Sequence, residues 1–243
     1  MCTVTWLHRP GGYELCFNRD ELKTRLIAHP PSIHREGRLH YIAPIDADAG
    51  GTWIGVNQFG ITICLLNFYH AAMNRQLSAE DYTSRGLLVK SLLTHETLSD
   101  IFGQYSEAEL RQFRPFKLLA IGPESAVQGL VWDGTNAEIA RTPEPPLSSS
   151  SFLSEQVIEQ RRRLFREIRA REGNASEALI DYHRSHFPEK GPFSVCMHRE
   201  EAHTVSFSRV VVTAEHITFH YTSGAPCETP FLEPVSMARA AGG

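Results

Sequence analysis

Residues 2–7, Cys-Thr-Val-Thr-Trp-Leu, leave the start of the chain little freedom. β-Branched and aromatic side chains in an unbroken run favour an extended strand. Pro10, Gly11 and Gly12 then punctuate the chain, so His8–Gly12 reads as a turn. Tyr13–Asn18 is extended again, and the two runs predict an N-terminal hairpin. Such a hairpin brings the residues around position 19 back beside position 2. Whatever chemistry the terminus carries is therefore built against Asn18-Arg19-Asp20-Glu21.

The rest of the chain alternates strand-like and helical stretches. Residues 25–50 carry Pro30, Pro31, Pro44, Gly37 and Gly50 and read as irregular. Thr52–Val56 and Gly60–Asn67 predict a second hairpin across Asn57–Phe59. Ser84–Leu93 places Leu87, Leu88, Leu92 and Leu93 at helical spacing, and short helices follow near Leu98–Phe102 and Glu107–Phe113. Lys117–Ile121, Gln128–Trp132 and Glu138–Arg141 read as strands, and residues 142–151 as a loop. Ser154–Arg171 is the clearest helix, with Val157, Ile158, Leu164, Phe165 and Ile168 on one face. Within it, Arg161–Arg163 reads as a solvated face. A weaker helix spans Ala175–His186, a late hairpin joins Thr204–Thr213 to His216–Thr222, and the tail after Pro226 reads as frayed. Strands and helices in this order fit two antiparallel sheets with helical layers, in one domain over residues 1–243.

Composition excludes several classes. With 42% hydrophobic and 21% charged residues, 243 residues can bury about 70–75% of the unfolded surface without covalent staples. A net charge of −4 gives no footprint for nucleic acid or an anionic membrane. No apolar run is long enough for a membrane span, and the N-terminus lacks the pattern of a signal peptide. Five widely spaced cysteines (Cys2, Cys16, Cys64, Cys196, Cys227) argue for reduced thiols and hence the cytoplasm. Cys16 and Cys64 sit in apolar runs as small hydrophobes. Phosphate-cradling glycine motifs are missing from the sequence, so no nucleotide cofactor is expected. Twelve histidines invite a metal. Their groupings (Asp181, His183 and His186; His216 and His220; Cys196, His198 and His203) have no metal-ligand spacing, and no metal is expected.

Cys2 follows the initiator Met, which is normally trimmed ahead of so small a residue. The mature terminus then carries a thiol nucleophile and an α-amine able to act as its base. Reference pKa values of about 8.5 and about 7.7–8.0 let the amine take the proton near neutrality. Asp20 can hold the ammonium or orient the thiol, and Arg19 can steer an anionic group. Gly50-Gly51-Thr52-Trp53 permits close backbone approach. Asn67 ends an apolar strand, where its amide either opens a turn or faces a cleft as an oxyanion donor.

Cys2, the Asn-Arg-Asp-Glu tetrad at 18–21, Arg25, GGTWIGVN at 50–57, Leu-Leu-Asn at 65–67 and Ser-Arg-Gly-Leu at 84–87 together resemble the NRDE family, also called transport and Golgi organisation 2. The likeness is strongest over residues 2–90. That family is similar to N-terminal nucleophile hydrolases of the choloylglycine hydrolase and penicillin V acylase group. The resemblance implies an α+β fold, a four-layer αββα sandwich of two antiparallel sheets flanked by helices. It implies Cys2, Asp20 and Asn67 as catalytic residues, and Asn18, Arg19 and Ser149 as substrate-binding ones. The chain departs from the relatives' pattern in three places. Phe17 stands where they carry Arg, Leu147–Ser150 offers serine where they carry a second oxyanion Asn, and no C-terminal Arg matches, His203 preceding the stretch that would align. The implied activity is hydrolysis of, or acyl transfer from, a small amide or acyl thioester. Two other roles remain open: a non-catalytic binding or trafficking protein handling lipid or haem, and the glutaminase half of an amidotransferase.

Overall fold

The computed structural model describes residues 1–69, 71, 78, 81–124, 126–140, 142–171 and 173–240. Its strands are β1 (Cys2–Arg9), β2 (Gly12–Leu22), β3 (His29–Glu36), β4 (Leu39–Ile45), β5 (Ile54–Asn57), β6 (Thr62–Asn67), β7 (Phe116–Ile121), β8 (Val127–Trp132), β9 (Ala137–Ala140), β10 (Leu147–Ser149), β11 (Ala202–Val212), β12 (His216–Thr222) and β13 (Val235–Ala238). Its helices are α1 (Arg85–Leu92), α2 (Leu98–Gly103), α3 (Glu107–Leu110), α4 (Ser154–Arg169) and α5 (Ala175–Arg184). The expected end of the ninth strand, Arg141, lies outside the described residues.

The strands form two antiparallel sheets, ordered β10-β1-β2-β11-β12-β13 and β3-β4-β5-β6-β7-β8-β9. Strand alternation sends one set of side chains from each sheet into a shared core. Val4, Trp6, Leu15, Phe17, Val210 and Phe219 of the first sheet meet Ile42, Ile54, Val56, Leu66 and Leu119 of the second. The second sheet's outer face packs Ile63, Leu118 and Ala120 against Leu88, Val89 and Leu92 of α1, with Ile101 and Leu110 beyond. Leu87, expected on that apolar face, is instead exposed. The first sheet's outer face packs Cys16 and Phe207 against Leu164, Phe165 and Ile168 of α4 and Leu179 and Tyr182 of α5. Four layers result, helix–sheet–sheet–helix.

Three segments expected to be irregular are strands. Residues 25–50 contain β3 and β4. Pro30 and Pro31 fall in a register shift of the edge strand β3, and Pro44 lies beyond the two β4 residues, Tyr41 and Ile42, that pair with β5. Prolines at a bulge or an edge remove no needed ladder bond. Residues 147–149 of the expected loop form β10, which pairs with β1 from Cys2↔Ser149 to Val4↔Leu147. Short serine-rich strands have little intrinsic propensity, so the neighbour's ladder decides. The tail after Pro226 returns as β13 on the edge of β12.

Gly51 shows why the glycine-rich stretch is needed. A Cβ there would lie 2.3 Å from the carbonyl carbon of Gly86, where α1 begins, and the Thr52 N–H donates to the Gly86 carbonyl at 3.0 Å. The two motifs GGTW and SRGL thus lock backbone to backbone. Gly51→Ala is expected to cost about 2–3 kcal/mol of unfolding free energy, because backbone must shift. Gly103→Ala, where the added carbon meets nothing within 4 Å, should stay within about 0.5 kcal/mol. Denaturant melts of both variants check the contrast.

His183 of α5 is wholly buried, its Nε2 2.9 Å from the Thr5 hydroxyl. Desolvation, with the positive charge of Arg161 adding to it, pushes its pKa down to about 3. The folded chain therefore binds fewer protons than the unfolded one between that value and about 6.5. Stability should fall as pH drops through this window, by up to about 1.4 kcal/mol per unit. The difference between wild type and His183→Phe, followed by urea melts from pH 7 to pH 4, should show this slope lost in the variant.

Candidate active site

Strand register fixes which residues meet. Cys2 pairs with Arg19 across β1 and β2, and Thr3 with Asn18. Cys2 shares the inward face of β1 with Val4 and Trp6. Its side chain reaches the wall of a cleft of about 380 Å³ between the ends of the two sheets. Arg19, Asp20, Trp53, Asn67 and Arg85 line the same cleft. Of the expected site residues, Cys2, Arg19 and Asn67 therefore converge, and Asp20 borders the cleft with its carboxyl turned to Thr204 and Arg161. Ser149 joins them from β10, where its Oγ accepts a hydrogen bond from the Cys2 backbone N–H at 3.1 Å.

Asn18 does not meet the cleft. It lies on the opposite face of β2, and its amide donates to the carbonyls of His183 and Val195 at 2.9 and 3.0 Å. Alternation along the strand makes this unavoidable once Arg19 faces inward. Asn18 ties the sheet to the segment after α5.

The terminus is held on both sides. Asp20 and Met1 exchange backbone hydrogen bonds, Asp20 N–H to the Met1 carbonyl at 2.9 Å and the Met1 ammonium to the Asp20 carbonyl at 3.1 Å. The ammonium also donates to the Tyr69 hydroxyl at 3.2 Å, which accepts the Asn67 amide at 2.8 Å. Burial pushes the Tyr69 hydroxyl up to about 12, so it stays neutral. The Met1 side chain is buried against Met197 and Ala202.

Burial raises the Cys2 thiol above its ordinary value. The terminal ammonium and the Asp20 N–H pull it down, and the charges of Asp20 and Glu21 push it up. Burial likewise raises the Asp20 carboxyl, against the pull of Arg161 and the ammonium. Asp20 Oδ1 accepts from the Thr204 hydroxyl at 2.6 Å. Arg19 is pinned, its guanidinium 4.1 Å over the Trp53 ring and 2.6 Å from Asp46. Arg25 donates to the same Asp46 at 2.8 Å.

Arg161, expected on a solvated helix face, is buried. It is 1% exposed, donates to the Thr3 hydroxyl and the Ser194 carbonyl at 2.6 Å each, and lies 3.9 Å from Asp20 Oδ2. Neighbouring Arg163 is solvated as expected, pairing with Glu167. The signal was present, since position 161 is four after Val157 and three before Leu164 on the buried stripe. Arg161→Met should cost about 3 kcal/mol at pH 7, because a buried carboxylate loses its compensating charge. That deficit should shrink as pH falls and Asp20 is protonated. Parallel denaturant melts of variant and wild type at pH 7 and pH 4 read it.

Two facing antiparallel sheets with helices on both outer sides make a four-layer αββα sandwich. Three solved structures of low identity share this fold. A mutant conjugated bile acid hydrolase from Clostridium perfringens has 10% identity and a TM-score of 0.54, the match covering 98% of this chain and 96% of that one. Penicillin V acylase from Agrobacterium tumefaciens has 11% and 0.53, covering 92% and 83%. The N-acylethanolamine-hydrolyzing acid amidase ortholog of Caenorhabditis elegans has 12% and 0.52, covering 87% and 92%. No curated protein matches the chain in sequence. The chain belongs to the transport and Golgi organisation 2 family, whose pattern matches residues 1–205. No helix among the described residues is long and apolar enough to cross a membrane.

Proposed function

We propose that this chain is an N-terminal-cysteine hydrolase or acyltransferase acting on a small amide or acyl thioester. The observation that carries the reading is the position of Cys2, its thiol on the cleft wall and its backbone nitrogen against Ser149 Oγ. Removal of Met1 turns that nitrogen into an α-amine. The amine accepts the thiol proton, and the thiolate attacks the substrate carbonyl. The Asn67 amide turns from Tyr69 to the developing oxyanion. The protonated amine gives its proton to the leaving group as the carbon–nitrogen or carbon–sulfur bond breaks. Water then releases the acyl group as an acid, or an acceptor amine or alcohol carries it away.

Asp20, fixed by Thr204 and Arg161, holds the strand end against the terminus. Arg19 sets the wall against Trp53, Ser149 holds the amine, and Asn18 acts only through the segment it braces. A cleft of about 380 Å³ is at the small end of ligand sites, which favours a small acyl group. The solved structures named above are a hydrolase, an acylase and an amidase, which supports an acyl bond as the target. Five unpaired cysteines support the cytoplasm as the compartment, and we read residues 1–243 as one domain.

A non-catalytic binding protein is the second reading. It is favoured by the Asn67 amide and the Ser149 hydroxyl, which are already engaged within the protein. Labelling separates the two. An acylating β-lactone should modify Cys2 in the Met-trimmed protein, and Cys2→Ala should abolish both labelling and turnover. Asn67→Ala should lower turnover by about 10²–10³. Label found on the partly exposed Cys227 with Cys2 untouched would leave the binding reading standing.

A further inference from the structure

Away from the cleft, the structure gathers four side chains that the sequence scatters. His186 follows α5, Cys196 and His198 lie in the irregular segment leading to β11, and Cys227 comes from the loop after β12. Their ligand atoms all lie within 4.8 Å of one another. The two sulfurs are 3.4 Å apart, and His198 Nε2 is 3.5 Å from each. A tetrahedral zinc with bonds of about 2.3 Å to sulfur and 2.0–2.1 Å to nitrogen needs ligand atoms about 3.3–3.8 Å apart. Three of the four already stand at that spacing. His186 supplies an independent sign. Its Nε2 is buried and has no hydrogen-bond partner, while its ring stands 5.1 Å from that of His198. It stands beside the other three as the candidate for the fourth corner.

We propose that His186, Cys196, His198 and Cys227 form a structural zinc site. Two sulfurs and two imidazoles in a tetrahedron select zinc over the harder or square-planar divalent ions. On binding, the two thiols release their protons to solvent and the two neutral imidazoles donate lone pairs. The two thiolate charges then balance the ion. All four corners come from the protein, so no position is open for substrate and the ion's role is to hold structure.

What it holds is the segment from Ser185 to Ala202. That stretch lacks regular structure apart from one bridge, His198 to His203, yet it braces the nucleophile's sheet. The carbonyls of Ser194 and Val195 accept from Arg161 and Asn18, and the Met197 N–H donates to Thr204, which holds Asp20. A metal held by His186, Cys196 and His198 pins that run from before it, within it and after it. The site stands on its own geometry, whatever the chemistry at Cys2 proves to be.

The sequence hides it because the spacing is His-x9-Cys-x-His-x28-Cys, with no Cys-x2-Cys pair. The sequence groupings split these residues and left Cys227 out.

The test is metal analysis of the full chain purified without chelator. We expect one zinc per chain, falling at least about ten-fold in Cys227→Ser and in His186→Ala. Chelated protein reloaded with cobalt(II) should show the visible bands of a tetrahedral thiolate complex, and these should be lost in Cys227→Ser. If the variants do not fold, the cobalt spectrum of the wild type decides alone. A folded wild type that binds neither metal, with all five thiols found free after unfolding, overturns the site. So does a Cys196–Cys227 disulfide found in reduced-purified protein, or Cys227→Ser retaining the same metal.

Discussion

The pairing of β1 between β2 and β10, with Cys2 opposite Arg19 on one side and Ser149 on the other, is the constraint on which the rest of the site depends. It runs to Cys2 itself, so the residue that becomes the terminus once Met1 is removed is an ordered strand end and not a loose tail. With β10 on its other side, β1 has no freedom of register. A one-residue slip would turn Cys2 to the helical face and bring Thr3 to the cleft. Covalent order and sheet geometry together thus set which atom can react.

Support for that strand comes from outside the sheet. Arg161 crosses from α4 to Thr3 and approaches Asp20, and Asn18 and Thr204 fasten the segment that follows α5. These are costly interactions to leave half made, because each group is buried. Arg161 brings a guanidinium to 3.9 Å from the Asp20 carboxylate on the helical side of β2, while Phe17 points into the core between the sheets.

Much of this was legible in the residues. The opening hairpin, the 54–67 hairpin and α4 follow from patterns of period 2 and 3.6, and they carry Cys2, Asp20 and Asn67 to one place. The alternation along β2 also separated Arg19 from Asn18, although it did not say which faced the cleft. That choice is made by Trp53, which stacks on Arg19, and Trp53 immediately precedes β5 of the other sheet. Four strands, β3, β4, β10 and β13, escaped notice because a neighbour's ladder, not their own composition, forms them. Arg161 escaped because a run of three arginines suggests solvent, while only the helical register reveals the buried one. The cysteine and histidine cluster escaped because its members meet through tertiary folding across some forty residues of chain.

The central claim is that one residue supplies both nucleophile and base. The direct measurement compares two preparations, one beginning at Cys2 and one retaining a single residue ahead of it, by the rate at which an acyl electrophile modifies the thiol at pH 7. Fast modification of the first is expected, with a loss of at least about ten-fold in the second, whose Cys2 nitrogen is an amide with its lone pair delocalised into the carbonyl and unable to take the thiol proton. Equal rates in the two preparations would contradict it.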